Sequence, residues 1–331
     1  MKPSETIKDA VAGGNTRTVS NHIQEVTFNC EVISPMFIGN ASTHGCELRP
    51  SAIKASMRFW WRAIHPNLSA KDLRIKECEL FGGSYIPGKK QKTNNNPPKF
   101  RFLEFTTNLN IANQRVDCRP TERREKKAIL PKSAFTITLL CKESDVKTII
   151  ALVYLASALG GLGKSSRRGS GAWKITSYKT KIPQNGLELT YTIASILQAI
   201  QYLNKDVYTI NNEKIVLITG KMNRATTNSD FPYLKEVCIG PEYNNHSTLI
   251  SKIKGTAGGL KGKNSVTFSK SLGAIGKHRL SSPVIASMIA NAGSQNVKPI
   301  ISTVNHLYSQ RDKNAIVDFQ NRFKNTILQD A

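Results

Sequence analysis

The chain has 331 residues, 39% of them hydrophobic and 21% charged, enough for one large core or two domains of about 150 residues each, and not a disordered tail. Lysine and arginine number 47 against 23 acids, a formal net charge of +24. Such a surface repels itself unless a polyanion or an acidic partner neutralises it, so nucleic acid is the leading expected partner, ahead of an anionic membrane.

The first 22 residues are polar and read as a tail. Val26, Phe28, Cys30 and Val32 then alternate with Thr27, Asn29 and Glu31, the period of a half-buried strand. After a loop, Ile53, Met57, Trp60 and Ile64 recur every three or four residues, which predicts a helix from Ser51, with Ser51 as its N-cap behind Pro50. A second helix is predicted over Ala70–Leu80, stopping at Phe81-Gly82-Gly83. The Gly, Pro, Asn and Lys residues of YIPGKKQKTNNNPP predict an exposed loop, and the phenylalanines at 100, 102 and 105 a strand over Lys99–Thr107. Arg115–Lys132 reads as a basic loop and Ala134–Cys141 as a strand. A helix capped by Ser144 or Asp145 is predicted to run to about Leu159, and a strand over Ala172–Tyr178 follows the glycine-rich GGLGKSSRRGSG.

This order, β-α-β-β-α-β with insertions, is that of a ferredoxin-like sandwich. The second half predicts a helix over Leu189–Leu203, strands over Lys214–Thr219, Val284–Ala290 and Ile300–Val304, and a closing helix over Ala315–Leu328. GGLGKSS at 160–166 echoes GGLKGKNS at 258–265, and Ser34-Pro35 echoes Ser282-Pro283. Such short matches leave internal duplication open. The expected fold class is α+β, with two tandem ferredoxin-like domains over residues 23–180 and 181–331, the second more divergent.

Lys54, Arg58 and Arg62 stand at i, i+4 and i+8 opposite the apolar stripe of the first helix, with His65 nearby and no acid between them. Like charges at this spacing cost a few tenths of a kcal/mol per pair, and an anion site is one reason to accept that cost. An ordinary solvated face, or pairing to acids elsewhere in the fold, is the plain alternative. Trp60 is read as core, and Trp61, about 100° away on the helix, as core or a subunit interface rather than a base-stacking surface.

GLGKSS superficially resembles a phosphate-binding P-loop, but position 158 is Ala158 where that motif needs glycine, and a helix precedes the loop where a P-loop needs a strand. The remaining expectation is a glycine-rich segment whose backbone approaches RNA phosphates and whose Lys164, Arg167 and Arg168 neutralise them. Weaker basic clusters lie at Arg119–Lys132, at GTAGGLKGKNS and at Lys277-His278-Arg279.

The six cysteines form no C-x-x-C pair, which points to free thiols in a reducing cytosol rather than a zinc ribbon. The N-terminus has no continuous apolar segment, and the apolar run Ile149–Leu162 falls short of the roughly 20 residues of a spanning helix, so a soluble cytoplasmic protein is expected. No histidine spacing or carboxylate pair calls for a metal, a cofactor or a catalytic site. His44, in the loop after the first strand, is the one candidate general acid or base, for RNA cleavage.

The string Ser34-Pro35-Met36-Phe37-Ile38-Gly39, then Glu47-Leu48-Arg49-Pro50-Ser51-Ala52-Ile53-Lys54-Ala55-Ser56-Met57-Arg58-Phe59-Trp60-Trp61-Arg62-Ala63, then Leu80-Phe81-Gly82-Gly83-Ser84, resembles the family of the first RAMP subunit of the Cmr effector complex, the type III-B CRISPR system. GLGKSSRRGSG resembles the superfamily's glycine-rich loop, and Arg279-Leu280-Ser281-Ser282-Pro283 a later element of the family. Ala55 departs from a usual glycine. The resemblance implies two fused ferredoxin-like, RRM-related domains and a noncatalytic subunit in an antiviral ribonucleoprotein. It implies a place near the end holding the 3′ part of the guide CRISPR RNA, beside other RAMP subunits, where the subunit helps to capture target RNA. By motif position, Arg49, Lys54, Arg58, Arg62, Lys164, Arg167 and Arg168 are the expected RNA contacts. A metal-independent RAMP endoribonuclease using His44 and a purely structural cap are the alternatives.

Overall fold

The computed structural model describes residues 23–40, 45–83, 97–115, 125–181, 188–222, 231–263, 271–273, 281–305 and 313–329. The tail, His44, the lysine-rich stretch 84–96 and Lys277-His278-Arg279 lie outside the described residues.

The first half runs β1 (Ile23–Val32), α1 (Pro50–Ala63), α2 (Ala70–Phe81), β2 (Phe100–Asn108), β3 (Ile111–Arg115), β4 (Glu125–Ile129), β5 (Ala134–Lys142), α3 (Val146–Ala158) and β6 (Trp173–Thr180). Its main sheet has the antiparallel order β2-β5-β1-β6. With β3 and β4 set aside as an inserted ribbon, this is the second-third-first-fourth order of a ferredoxin-like sheet. The alternation in β1 works as expected: Val26, Phe28, Cys30 and Val32 are buried, while Thr27, Asn29 and Glu31 are half-buried on the other face. In β2 the register shifts between Phe102 and Glu104, and Leu103, 54% exposed, is the extra residue. That bulge turns Phe105 back to the side of Phe100 and Phe102, which is why the three phenylalanines break strict alternation in the sequence.

Helix α1 begins one residue before the predicted start. Arg49, not Ser51, is the N-cap, and it makes no side-chain capping bond; Pro50 fills the first turn, where its fixed φ suits the helix and its missing N–H costs nothing. Asp145 precedes α3 as the N-cap without capping it, its carboxylate lying 3.5 Å from Lys99 Nζ instead. Helix α3 is buried on every side, against α1, α4 and the sheet, so its sequence is apolar all round rather than amphipathic.

The second half runs α4 (Ile193–Leu203), β7 (Tyr208–Asn211), β8 (Lys214–Leu217), β9 (Leu234–Ile239), α5 (His246–Lys263), β10 (Val284–Ile289), β11 (Lys298–Val304) and α6 (Lys313–Leu328). The five strands form an antiparallel sheet in the order β10-β11-β9-β8-β7. Taking β9, β10 and β11 as first, second and third strands reproduces the order of the first sheet, with β8 in the place of the fourth although it precedes β9 in the chain. The two short sequence echoes do not track this correspondence. GGLGKSS is a loop, whereas Gly258–Lys263 is the last part of α5, and Ser34-Pro35 follows a strand whereas Ser282-Pro283 precedes one. Topology, not those strings, relates the halves.

One apolar core runs from Val26, Phe28 and Leu139 through α3 to Ile200, Tyr208, Val237 and Ile300. A second lies beneath α5 and α6 and contains Leu249, Ile253, Phe319, Phe323 and Ile327. Among the described residues no helix is long and apolar enough to cross a membrane.

Candidate nucleic-acid interface

The cations of α1 lie along one face, but α2 brings an acid to them. Arg62 Nη1 is 2.8 Å from Glu77 Oε1, and Arg58 Nε is 3.7 Å from the same oxygen. Arg58 also donates to the carbonyls of Gly82 at 2.9 Å and Phe81 at 3.4 Å, tying α1 to the C-terminus of α2, whose partial negative charge favours a cation. Its guanidinium stands 5.4 Å from the Phe81 ring centre. Arg62 and Arg74 flank the ring of Phe231 at 5.0 and 5.5 Å, so the second half of the chain covers this end of the face. Lys54, 5.8 Å from the centre of the Phe100 ring, is half-buried; that burial, and then the charge of Arg58, lowers its pKa.

His65 does not join the cationic face. It is 6% exposed, with Nδ1 2.6 Å from the Trp61 carbonyl oxygen and Nε2 3.3 Å from that of Leu203, because α1 ends at Ala63 and the chain turns inward toward α4. Trp61 is buried against the His65 and Phe81 rings and so belongs to the core.

The glycine-rich loop is folded against the rest of the protein. Leu162 N–H donates to Gly171, Lys164 N–H to Phe37, Gly169 N–H to Ala286 and Gly171 N–H to Pro35, while the Arg168 and Ser170 N–H groups both donate to Ser165. These amides are occupied within the chain, so they are not free for the approach to RNA phosphates expected from the sequence. The glycines serve close packing. A Cβ on Gly163 (φ +84) would lie 2.4 Å from the Phe37 oxygen, and one on Gly171 (φ +74) 2.0 Å from the Leu162 oxygen. Arg167 donates to the Ser282 carbonyl and lies 5.4 Å from the Phe59 ring centre, and burial lowers its pKa. Arg168 is more enclosed still: it donates to the carbonyls of Arg167, Val284 and Leu272 and to Ser282 Oγ, and faces the Phe323 ring.

Exposed positive charge collects instead around Met36–Gly39. On one side Met36 pairs with Ile129 at the base of the β3–β4 ribbon, whose Lys126 and Lys127 are exposed; on the other, Phe37 pairs with exposed Lys164. At the end of the segment the exposed Arg49 donates to the Gly39 carbonyl at 3.4 Å. Of the seven predicted contacts, Arg49 and Lys164 are thus brought together, with Lys54 on the helix that Arg49 opens. Arg58, Arg62, Arg167 and Arg168 are built into packing. Lys126 and Lys127 entered the sequence reading only as part of the weaker basic cluster Arg119–Lys132, because that stretch read as loop; the run Glu125-Lys126-Lys127-Ala128-Ile129, buried at its last two positions, is the signal of a strand emerging from the core.

The open face of the first sheet lacks the aromatic platform with which an RRM stacks bases. Its central positions are Glu25, Thr27, Asn29 and Glu31 of β1, Thr136 and Thr138 of β5, and Ser177 of β6. Thr27 and Thr138 lie 3.2 Å apart, and Asn29 donates to Ser177 at 2.9 Å. Lys174, 3.3 Å from Glu31, and the exposed Lys179, opposite Thr27, share this face, so these positions carry hydroxyls, carboxylates and lysines but no aromatic ring to stack on.

Residues 29–174 match the RAMP superfamily profile. No curated protein matches the chain in sequence. Among solved structures, Cmr1 from Pyrococcus furiosus superposes with a TM-score of 0.58 at 15% identity, over 92% of this chain and 96% of that one. A chain of the type III-B Cmr-β complex bound to cognate target RNA and AMPPnP superposes with a TM-score of 0.56 at 10% identity, over 92% of this chain and all of that one. The same complex bound to cognate target RNA gives a TM-score of 0.53. The segment that carries ELRPSAIKASMRFWWRA and the glycine-rich loop therefore matches the superfamily model, and the chain shares the ferredoxin-like fold of these structures.

Proposed function

We propose that this protein is a noncatalytic RNA-binding subunit of a type III-B CRISPR interference complex. It would act in the cytoplasm beside other RAMP subunits, near the end that holds the 3′ part of the guide RNA, and help to capture target RNA. Its two ferredoxin-like domains would divide near residue 180. The similar Cmr-β chains come from assemblies bound to target RNA, which supports the reading. The observation that carries it is the convergence of exposed Arg49, Lys164, Lys126 and Lys127 on the Met36–Gly39 segment of a chain with net charge +24.

The chemistry available there is phosphate neutralisation by side chains. Six of the loop amides, from Leu162, Lys164, Arg168, Gly169, Ser170 and Gly171, are already bonded and the sheet positions described carry no stacking aromatics, so contact is with the RNA backbone and sequence is read by guide–target pairing. We assign direct contact to Arg49, Lys54 and Lys164, with the partly exposed Arg58 at the rim. The competing enzymatic reading rests on His44, and incubating the purified protein with repeat RNA in EDTA tests it. Intact RNA is expected, and cleavage abolished by His44→Ala would overturn the noncatalytic assignment. For RNA binding itself, ultraviolet crosslinking of the assembled complex should join this chain to RNA, and no crosslink would favour a purely structural cap.

A further inference from the structure

The glycine-rich loop carries two arginines whose charge the RNA-binding reading does not use, and their placement points to a different role. Residues 167–169 meet β10 in a single parallel bridge: Arg168 pairs with Ala286, Gly169 N–H donates to the Ala286 oxygen at 2.8 Å, and Ala286 N–H to the Arg167 oxygen at 3.3 Å. β10 is the terminal strand of the second sheet, so a loop that begins at the end of α3 bridges the edge of a sheet from the other half of the chain at Ala286. The Arg168 guanidinium fastens this contact. It donates to Val284 at 3.0 Å, to Ser282 Oγ at 3.1 Å, to Arg167 at 2.8 Å and to the Leu272 carbonyl, beside the Phe323 ring. A planar fork of donors makes such a set of bonds, and a lysine ammonium does not reproduce it. Three residues before Arg168, Ser165 sits at φ +61 and receives the Arg168 and Ser170 N–H groups, and this turn projects Lys164 outward.

We infer that Arg168 is a positioning residue, which clamps the loop to β10 and thereby sets the place of Lys164 without touching RNA itself. The clamp rests on geometry alone; its consequence for RNA rests on the reading of Lys164 as a phosphate contact. Any ligand that orders the turn at Lys164 then also secures the junction between the sheets, and loosening that junction weakens the ligand, since coupling between sites is reciprocal.

Arg168→Lys separates the two roles, because lysine keeps a charge for phosphate but loses the fork. Without RNA, hydrogen exchange at residues 165–171 and 284–289 should rise at least about ten-fold in this variant, as local opening becomes easier, and stay unchanged in Lys164→Ala. Binding to a polyuridine oligoribonucleotide should weaken several-fold with the same salt slope, whereas Lys164→Ala should reduce the slope. Ser282→Ala removes one acceptor with little risk to folding and should raise exchange in the same two segments by a smaller factor. Unchanged exchange in both Arg168→Lys and Ser282→Ala would overturn the clamp. Raised exchange with unchanged RNA affinity would overturn the positioning of Lys164. Wild-type protein that binds no RNA while its variants exchange faster would overturn the RNA reading and leave the clamp standing.

Discussion

Arg62 Nη1 lies 2.8 Å from Glu77 Oε1, and the same carboxylate lies 3.7 Å from Arg58 Nε. One acid from α2 therefore answers two of the three cations that α1 aligns on one face. Glu77 is half-buried, so its loss leaves two guanidiniums without their anion. Glu77→Gln should lower unfolding stability by about 1–3 kcal/mol, read by urea denaturation, as expected for a charged hydrogen bond removed from a partly enclosed site. RNA affinity at fixed salt should not fall, because the change removes a negative charge. Unaltered stability would show that the pair is a surface contact of little weight.

The close approach at the glycine-rich loop makes its glycines intolerant of even a methyl group. Gly171→Ala places a Cβ 2.0 Å from the Leu162 oxygen at φ +74, and Gly163→Ala one 2.4 Å from the Phe37 oxygen at φ +84. Each should cost about 1–3 kcal/mol or more, combining backbone strain with displaced hydrogen bonds. Gly258→Ala, on α5 where a Cβ meets nothing within 4 Å, should instead stabilise by about 0.5–1 kcal/mol. Thermal or urea unfolding of the three variants checks the contrast, which fails if all behave alike.

Acid stability should depend on Glu236. Burial works against its charged form, but Lys324, with hydrogen bonds from Lys324 and Thr303 and the charge of Lys214, holds its pKa below the ordinary carboxylate value. A depressed folded pKa contributes stability that is present above the unfolded value of about 4.3 and lost as pH falls through the folded value. The stability difference between wild type and Glu236→Gln should therefore be largest near neutrality and shrink as the pH drops from 5 toward 3. A difference independent of pH would contradict the ion pair's role.

The first sheet was legible in the sequence because its signals are local. The alternation of β1, the stripe Ile53, Met57, Trp60 and Ile64, and the apolar run of α3 each state their own burial. The second half was less so. The exposed glycines at 255, 258 and 259 obscure α5, although Leu249, Ile253, Ala257 and Leu260 keep a helical period. β7 and β8 meet in a two-residue turn at Asn212 and Glu213, both with positive φ and without the glycine that would announce it. The candidate site was legible only as charge. Nothing in Lys54-x-x-x-Arg58-x-x-x-Arg62 says that Glu77 would fold onto it, and nothing in RRGS says that Arg168 would turn inward to β10, because both partners are distant in sequence. Arg49 and Lys164 stay exposed beside the Met36–Gly39 segment, Arg49 as the N-cap of α1 and Lys164 just before the turn at 165–167.

The salt dependence of RNA binding tests the central claim most directly. Affinity for a polyuridine oligoribonucleotide, measured over a range of salt concentrations for wild type and for the folded Arg49→Ala/Lys164→Ala double variant, gives the number of phosphates each neutralises. Loss of two phosphate contacts should flatten the slope of log affinity against log salt by about 1.4, roughly 0.7 per contact on a single strand. A double variant that remains folded and keeps both the wild-type slope and the wild-type affinity would contradict the account.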